Sequence, residues 1–271
     1  MFGSHTKSFH PGRAAQSGLM AAVLAEGGYT SSEQALEAKR GWANVVGVTK
    51  SGIAEDLEKW LGMYAATTDH GVGLFYAGVG RWEILRNSFK PFPCGIVIHP
   101  IIDACVQIHN DLKKQGLDVK NINFVHAKVH PLVLELTGKR KPRDGLEGKF
   151  SVFHGAAIGL IYGKGTPSEY EDHIVQDSEV ISVRDKVDAI ADKSLGADEA
   201  IVVATMKDGK TIEKHVKHAV GSLEVPMDDE MLQRKFVDQC ASVLGDKVQA
   251  TSEAYWNIES AKDVADVARI L

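Results

Sequence analysis

Apolar positions along this chain change their spacing twice, and each change predicts a change of architecture. The first stretch is helical. Ala14, Ala15, Leu19, Met20, Ala22, Val23 and Leu24 recur at helix spacing, and Gly27-Gly28 reads as the stop. Pro11 suits the first helical position, because its missing N–H costs nothing there. Thr30-Ser31-Ser32-Glu33 fits a capping box ahead of QALEAKRGWA. Ile53, Leu57, Trp60, Leu61 and Tyr64 then fall on one face of a third helix. Residues 67–82 are Gly-rich and read as irregular. Gly71, Gly73, Gly78 and Gly80 do not make the strand–GxGxxG–helix context, which excludes a dinucleotide site.

The pattern shifts at FKPFPCGIVIHP. Pro91, Pro93 and Pro100 forbid helix through most of this stretch, and a domain boundary is placed near residue 88. Pro100 opens a helix with Ile101, Cys105, Ile108 and Leu112 on one face and Gly116 as its stop. NINFVHAKVHP reads as a strand, and GKFSVFHGAAIGLIYGKG as a buried helix rich in small residues. DEAIVVATMKDGKTIEKHVKHAV is the clearest hairpin, with Asp208-Gly209 at its turn. From about residue 228 the spacing is helical again. The expected fold class is therefore α+β: a helical part at 1–88, an α+β lid or insertion at 89–227, and C-terminal helices at 228–271 that return to the helical part.

Composition changes this picture little. The 271 residues are 44% hydrophobic and 25% charged, ordinary for a globular protein. A net charge of −5 gives no nucleic-acid footprint. No apolar run reaches the length of a membrane span, and no apolar signal core opens the chain. Cys94, Cys105 and Cys240 have no metal or CxxC spacing and suit buried thiols in a reducing compartment, so a cytoplasmic location is expected. A mitochondrial one would need a transit peptide ahead of residue 1.

Charge matters more locally. His5, Lys7, His10 and Arg13 crowd the start of the first helix, where the helix itself favours anions. Either they form a solvated basic tail, or they hold a bound anion at a helix N-terminus. Lys90 precedes the proline-broken loop, and His99 sits at the cap of the helix that Pro100 begins, partly offset by Asp103. Two basic helix starts together suit a substrate with more than one carboxylate. His130 ends a strand. The run Lys139, Arg140, Lys141, Arg143 reads as a solvated loop, and His154 as a core histidine. Ser17 lacks a nucleophile-elbow context, and no HExxH or Cys/His cluster argues for a metal. Proton chemistry with Lys and His on a carboxylate substrate is left. A lysine crowded by cations gives up its proton more readily, which would let Lys7 act as the acid–base group and not only as a carboxylate clamp.

TKSFHPGRAAQSGLMAAVLAEGGYTS, FKPFPCGIVIHPIIDA and GKFSVFHGAAIGLIYG, with LQRKF opening a late helix, resemble signature stretches of the MmgE/PrpD family in the family's order. That family includes 2-methylcitrate dehydratase, cis-aconitate decarboxylase and iminodisuccinate epimerase. The resemblance implies a helical domain with an α+β lid, a homodimer, and cofactor-independent movement of a proton next to a carboxylate of a small di- or tricarboxylate. It places the family's active-site lysine on Lys7 and its hinge lysine on Lys90. Substrate contacts are expected from His10, Arg13, Lys90, His99 and His130. The decarboxylases carry a histidine five residues after the hinge lysine, where this chain has Gly95, and no tyrosine stands between His130 and Leu136. Both departures argue against cis-aconitate decarboxylation.

Residue 1 falls just before the Lys7 motif, so the chain is expected to be the C-terminal part of a family subunit. Two functions are open: a lyase or isomerase, or a non-catalytic remnant that binds carboxylates or pairs with a full-length homologue. The second predicts uncovered apolar faces at Leu19/Val23 and Leu57/Trp60.

Overall fold

The computed structural model describes residues 3–35, 38–46, 63–68, 71–76 and 86–270. Two compact units divide the chain: Met1–Ser8 with Ser88–Leu271, and Phe9–Asn87.

Helix α1 spans His5–Glu26, with Pro11 inside it. It thus starts six residues before the expected position. Proline removes one backbone donor, so the Lys7 carbonyl loses its usual partner four residues on, and the preceding turns still form. No residue of α1 is buried. The second expected helix is replaced by turns and a short α2, Trp42–Val45. Gln34 N–H donates to Ser32 Oγ at 3.2 Å, a local turn bond between other residues than the expected pair of Thr30 and Glu33. Residues 67–82 are not wholly irregular. Strand β1, Met63–Thr68, pairs antiparallel with β2, Gly71–Tyr76. Two runs with β-branched and aromatic residues flank a two-residue connection, a hairpin signal that the glycines obscured. Tyr64 therefore lies on a strand, and Ile53, Leu57, Trp60 and Leu61 lie outside the described residues.

The larger unit is built on one sheet and two central helices. Helix α3 is His99–Lys114, followed by strand β3, Ile122–Val129. Short helices α4 (Pro131–Thr137) and α5 (Gly145–Gly148) lead to α6, Val152–Tyr162. Then come α7 (Asp172–Val175), α8 (Ser178–Arg184), β4 (Val187–Ala191), β5 (Ala200–Met206) and β6 (Thr211–Val216). The sheet order is β4-β3-β5-β6. β3 and β4 are parallel, which requires the long crossover that α4 to α8 supply. β5 runs antiparallel to both β3 and β6. Along β5 buried positions alternate with half-buried ones, so one face carries Ala200, Val202, Ala204 and Met206 into the core.

Helix α6 is buried almost throughout because small residues let α3 approach. A Cβ on Gly155 would stand 2.9 Å from Ile98, and one on Gly159 would stand 2.9 Å from Cys105. This contact fixes α6, and with it the segment just before α6, relative to the loop just before α3.

Helices α9 (Asp229–Leu244), α10 (Val248–Trp256) and α11 (Val264–Ala268) complete the chain, as the late helical spacing indicated. Their residues group with 88–227. All three cysteines are free; Cys94 and Cys105 are buried and Cys240 is half-buried.

Candidate functional site

The loop from Phe89 to Ile98 is the centre of the site. Prolines 91 and 93 keep it out of helix, and both ends are tied. Phe89 N–H donates to Gly221 O at 3.0 Å, and Gly95 N–H donates to Lys149 O at 2.9 Å. Gly221 has φ +89, and a Cβ there would stand 2.1 Å from Phe89 O, so glycine is required. Phe92 is buried, and His99 meets its ring edge-on with centroids 5.4 Å apart.

Beside this loop lies a cavity of about 450 Å³. Lys7 and Ser8 line it from the first turn of α1, Lys90 and Cys94 from the loop, and Lys149 from the end of α5. Leu136 and Thr137, at the end of α4, close one side. Three lysines, Lys7, Lys90 and Lys149, line this space, and among the described residues that line it there is no Asp or Glu. Lys90 Nζ donates to Cys94 O at 3.1 Å. Burial holds Lys90 below the ordinary lysine pKa, and the charges of Lys7 and Lys235 push the same way. Lys235 reaches the neighbourhood from α9, more than a hundred residues along the chain. Burial pushes the Cys94 thiol up to about 12 despite the nearby Tyr170 hydroxyl, Lys90 and Lys149, so it is not a thiolate nucleophile at neutral pH.

The residues singled out from the sequence do not all meet here. Lys7 and Lys90 line the same cavity. His10 and Arg13 lie exposed on α1, within the other unit, and Arg13 donates to Gln16 Oε1 at 2.8 Å. His99 is the first residue of α3, with Ile98 in the cap position, and is 3% exposed. It lines a separate cavity of about 240 Å³ with Pro100, Asp198 and Glu224. Burial, reinforced by Lys90, drops its pKa to about 4, so it is neutral at physiological pH. Asp103 is engaged, accepting from Val220 N–H at 3.0 Å and from Gln107 Nε2 at 3.0 Å. His130 caps α4, its Nδ1 accepting from Leu132 N–H at 3.1 Å. It thereby positions the helix whose last turn borders the lysine cavity.

His154 is a core histidine, fully buried, with Nε2 2.9 Å from Glu169 O. The basic run is exposed, and Lys139, Arg140 and Arg143 within it are paired. Arg140 meets Asp188 at 2.8 Å and lies 4.4 Å from the centre of the Phe153 ring, while Arg143 meets Glu147 at 2.7 Å. Sequence reading missed Lys149 and Lys235, although both stand inside motifs it had singled out, GKFS and LQRKF. It also missed a solvent-exposed group of Asp198, His218 and Glu224, whose ligand atoms lie within 4.8 Å of one another. Those residues come from the loop before β5 and the segment after β6, so no local spacing reveals them.

Two family models match the chain. The MmgE/PrpD C-terminal domain covers residues 92–259, and the MmgE/PrpD N-terminal domain covers 2–51. The chain belongs to the MmgE/PrpD family. Its relatives are distant. A cis-aconitate decarboxylase-like protein, oryM, of Aspergillus oryzae is 23% identical over 95% of this chain and 53% of its own length. The cis-aconitate decarboxylase of Aspergillus terreus is 22% identical over 100% of this chain and 55% of its own. The 2-methylcitrate dehydratase of Escherichia coli K12 is 22% identical over 46% of this chain and 26% of its own. The chain thus spans about half the length of the decarboxylase relatives, and the dehydratase match covers less. Among the described residues no helix is long and apolar enough to cross a membrane.

Proposed function

We propose that this chain carries the carboxylate-binding side of an MmgE/PrpD-type active site, and that the site moves a proton at a carbon next to a carboxylate of a small di- or tricarboxylate. The observation that carries this reading is the cavity shared by Lys7, Lys90 and Lys149, with no acidic residue among the described residues that line it. Such a space favours a polyanion. Ammonium groups aimed at a substrate carboxylate also stabilise the negative charge that builds there when the adjacent carbon loses a proton. Lys7 is the proposed acid–base group. Lys90, tied to Cys94 O and with its pKa lowered by burial, is the proposed clamp and a second proton carrier. The reaction is of the lyase or isomerase kind without a cofactor, and the 89–227 part is the proposed lid of a subunit that forms a homodimer.

The test is proton exchange. The protein is incubated in heavy water with citrate, cis-aconitate and related polycarboxylates, and loss of C–H signal is followed by NMR. Exchange that disappears in Lys7→Ala supports the assignment. Exchange that persists unchanged in Lys7→Ala overturns it.

A second reading is favoured by α1. Leu19 is 70% exposed and Val23 56%, as expected for a face that lacks its cover. On this reading the chain binds carboxylates without turning them over, or pairs with a longer homologue. Binding of polycarboxylates with no exchange in any of them would select it.

A further inference from the structure

We infer that Lys149 is an anion anchor of the lysine cavity and sets how many carboxylates a bound ligand presents. This rests on the reading of that cavity as a carboxylate site.

The position of Lys149 is fixed from both sides. Its N–H donates to Gly145 O at 3.0 Å, closing α5, and its carbonyl accepts from Gly95 N–H at 2.9 Å. Two residues on, Ser151 caps α6, its Oγ accepting from His154 N–H at 3.1 Å. α5 in turn is pressed onto buried Tyr170, since a Cβ on Gly145 would stand 1.9 Å from Tyr170 O. The backbone at Lys149 is therefore held in place where the residue lines the cavity.

Its charge is also uncommitted. Among the described residues Lys149 has no ion-pair partner, although Glu147 is only two residues away. Glu147 is taken by Arg143 at 2.7 Å and by Lys139 at 3.7 Å. Thr137, the neutral polar neighbour in the lining, spends its hydroxyl on Val133 O at 2.5 Å. Lys90 is partly engaged by Cys94 O. A ligand that offers two carboxylates to Lys7 and Lys90 thus leaves Lys149 facing it unsatisfied, and a third carboxylate completes the set.

Propane-1,2,3-tricarboxylate and glutarate test this, because they share a five-carbon chain and differ by one carboxylate. Both are titrated calorimetrically into the full chain, its Lys149→Gln and Lys149→Met variants, and Lys149→Arg. The expected result is tighter binding of the tricarboxylate by the unmodified chain. Both uncharged variants then lose about tenfold in tricarboxylate affinity and clearly less in glutarate affinity, so the preference narrows. Lys149→Arg keeps the preference. Tricarboxylate binding that is unchanged in Lys149→Gln and Lys149→Met overturns the role of Lys149 while leaving the carboxylate site standing. Failure of the unmodified chain to bind either anion overturns the site reading itself, and the role of Lys149 with it.

Discussion

The backbone N–H of Gly95 donates to the carbonyl of Lys149 at 2.9 Å. This one bond joins the proline-rich loop that carries Lys90 to the short turn that leads into α6. Two segments more than fifty residues apart thereby present their lysines to a common space.

Filling the position of Gly95 should close that space. A Cβ there would stand 3.0 Å from the Thr137 methyl, tight but not impossible. Gly95→Ala is expected to cost about 1 kcal/mol of stability. Gly95→His, which adds a far larger side chain beside Thr137, is expected to weaken polycarboxylate binding at least about tenfold. Denaturant midpoints and calorimetric titrations check the two effects separately.

Anion binding should fade at high pH, and Lys90 should set where the fading begins. Its pKa lies below the ordinary lysine value, so it is the lysine that loses charge early as pH rises. Lys90→Arg keeps its charge through this range and should carry binding to higher pH. The sign for stability is the opposite. Between the lowered folded pKa and the ordinary unfolded one, the unfolded chain binds more protons, so Lys90 makes the fold gain stability as pH rises. Affinity of a polycarboxylate measured from pH 7 to pH 10 in both proteins is the check.

His99 and His154 should make the fold sensitive to mild acid. Burial sets both near pKa 4, below the unfolded value of about 6.5. Between these values the unfolded chain binds the extra protons, so stability is full above about pH 6.5 and falls as pH drops towards 4. Each histidine contributes a slope of up to about 1.4 kcal/mol per pH unit. His154→Gln should remove roughly half of that slope. Urea midpoints at pH 7, 5.5 and 4.5 read it directly.

Gly145→Ala should be among the most damaging single substitutions. The added carbon would stand 1.9 Å from the Tyr170 carbonyl oxygen, a backbone atom with no rotamer to change. A loss of about 3 kcal/mol or more is expected, together with the displacement of Lys149. Thermal melting shows the first and loss of polycarboxylate binding the second.

Leu19→Glu with Val23→Glu should behave oppositely. Both side chains are mostly exposed on α1, so their replacement is expected to change stability by no more than about 0.5 kcal/mol. If that apolar face is a contact surface, self-association measured by sedimentation should fall.

Local rules made much of this fold legible. Apolar spacing located α3, α6 and α9, the Asp208-Gly209 turn located the β5–β6 hairpin, and the three prolines located the loop that builds the site. Lys7 and Lys90 could be singled out because each sits in a run whose charge does not suit a simple helix start. Failures occurred where one residue type was given too much weight. Pro11 suits a helix start but sits inside a helix that begins at His5, and glycines mask the β1–β2 pairing.

What the sequence determined by itself is the set of elements and the chemistry available, because period, turns and caps act over a few residues. Only the tertiary structure decided which charges share a space. The close approach of α3 and α6, allowed by Gly155 and Gly159, brings Lys149 beside the Lys90 loop. The same packing encloses His99, and burial in that setting removes the charge that its place at a helix start had suggested. Both outcomes depend on distance and solvent access between segments far apart in the chain, which no local pattern encodes.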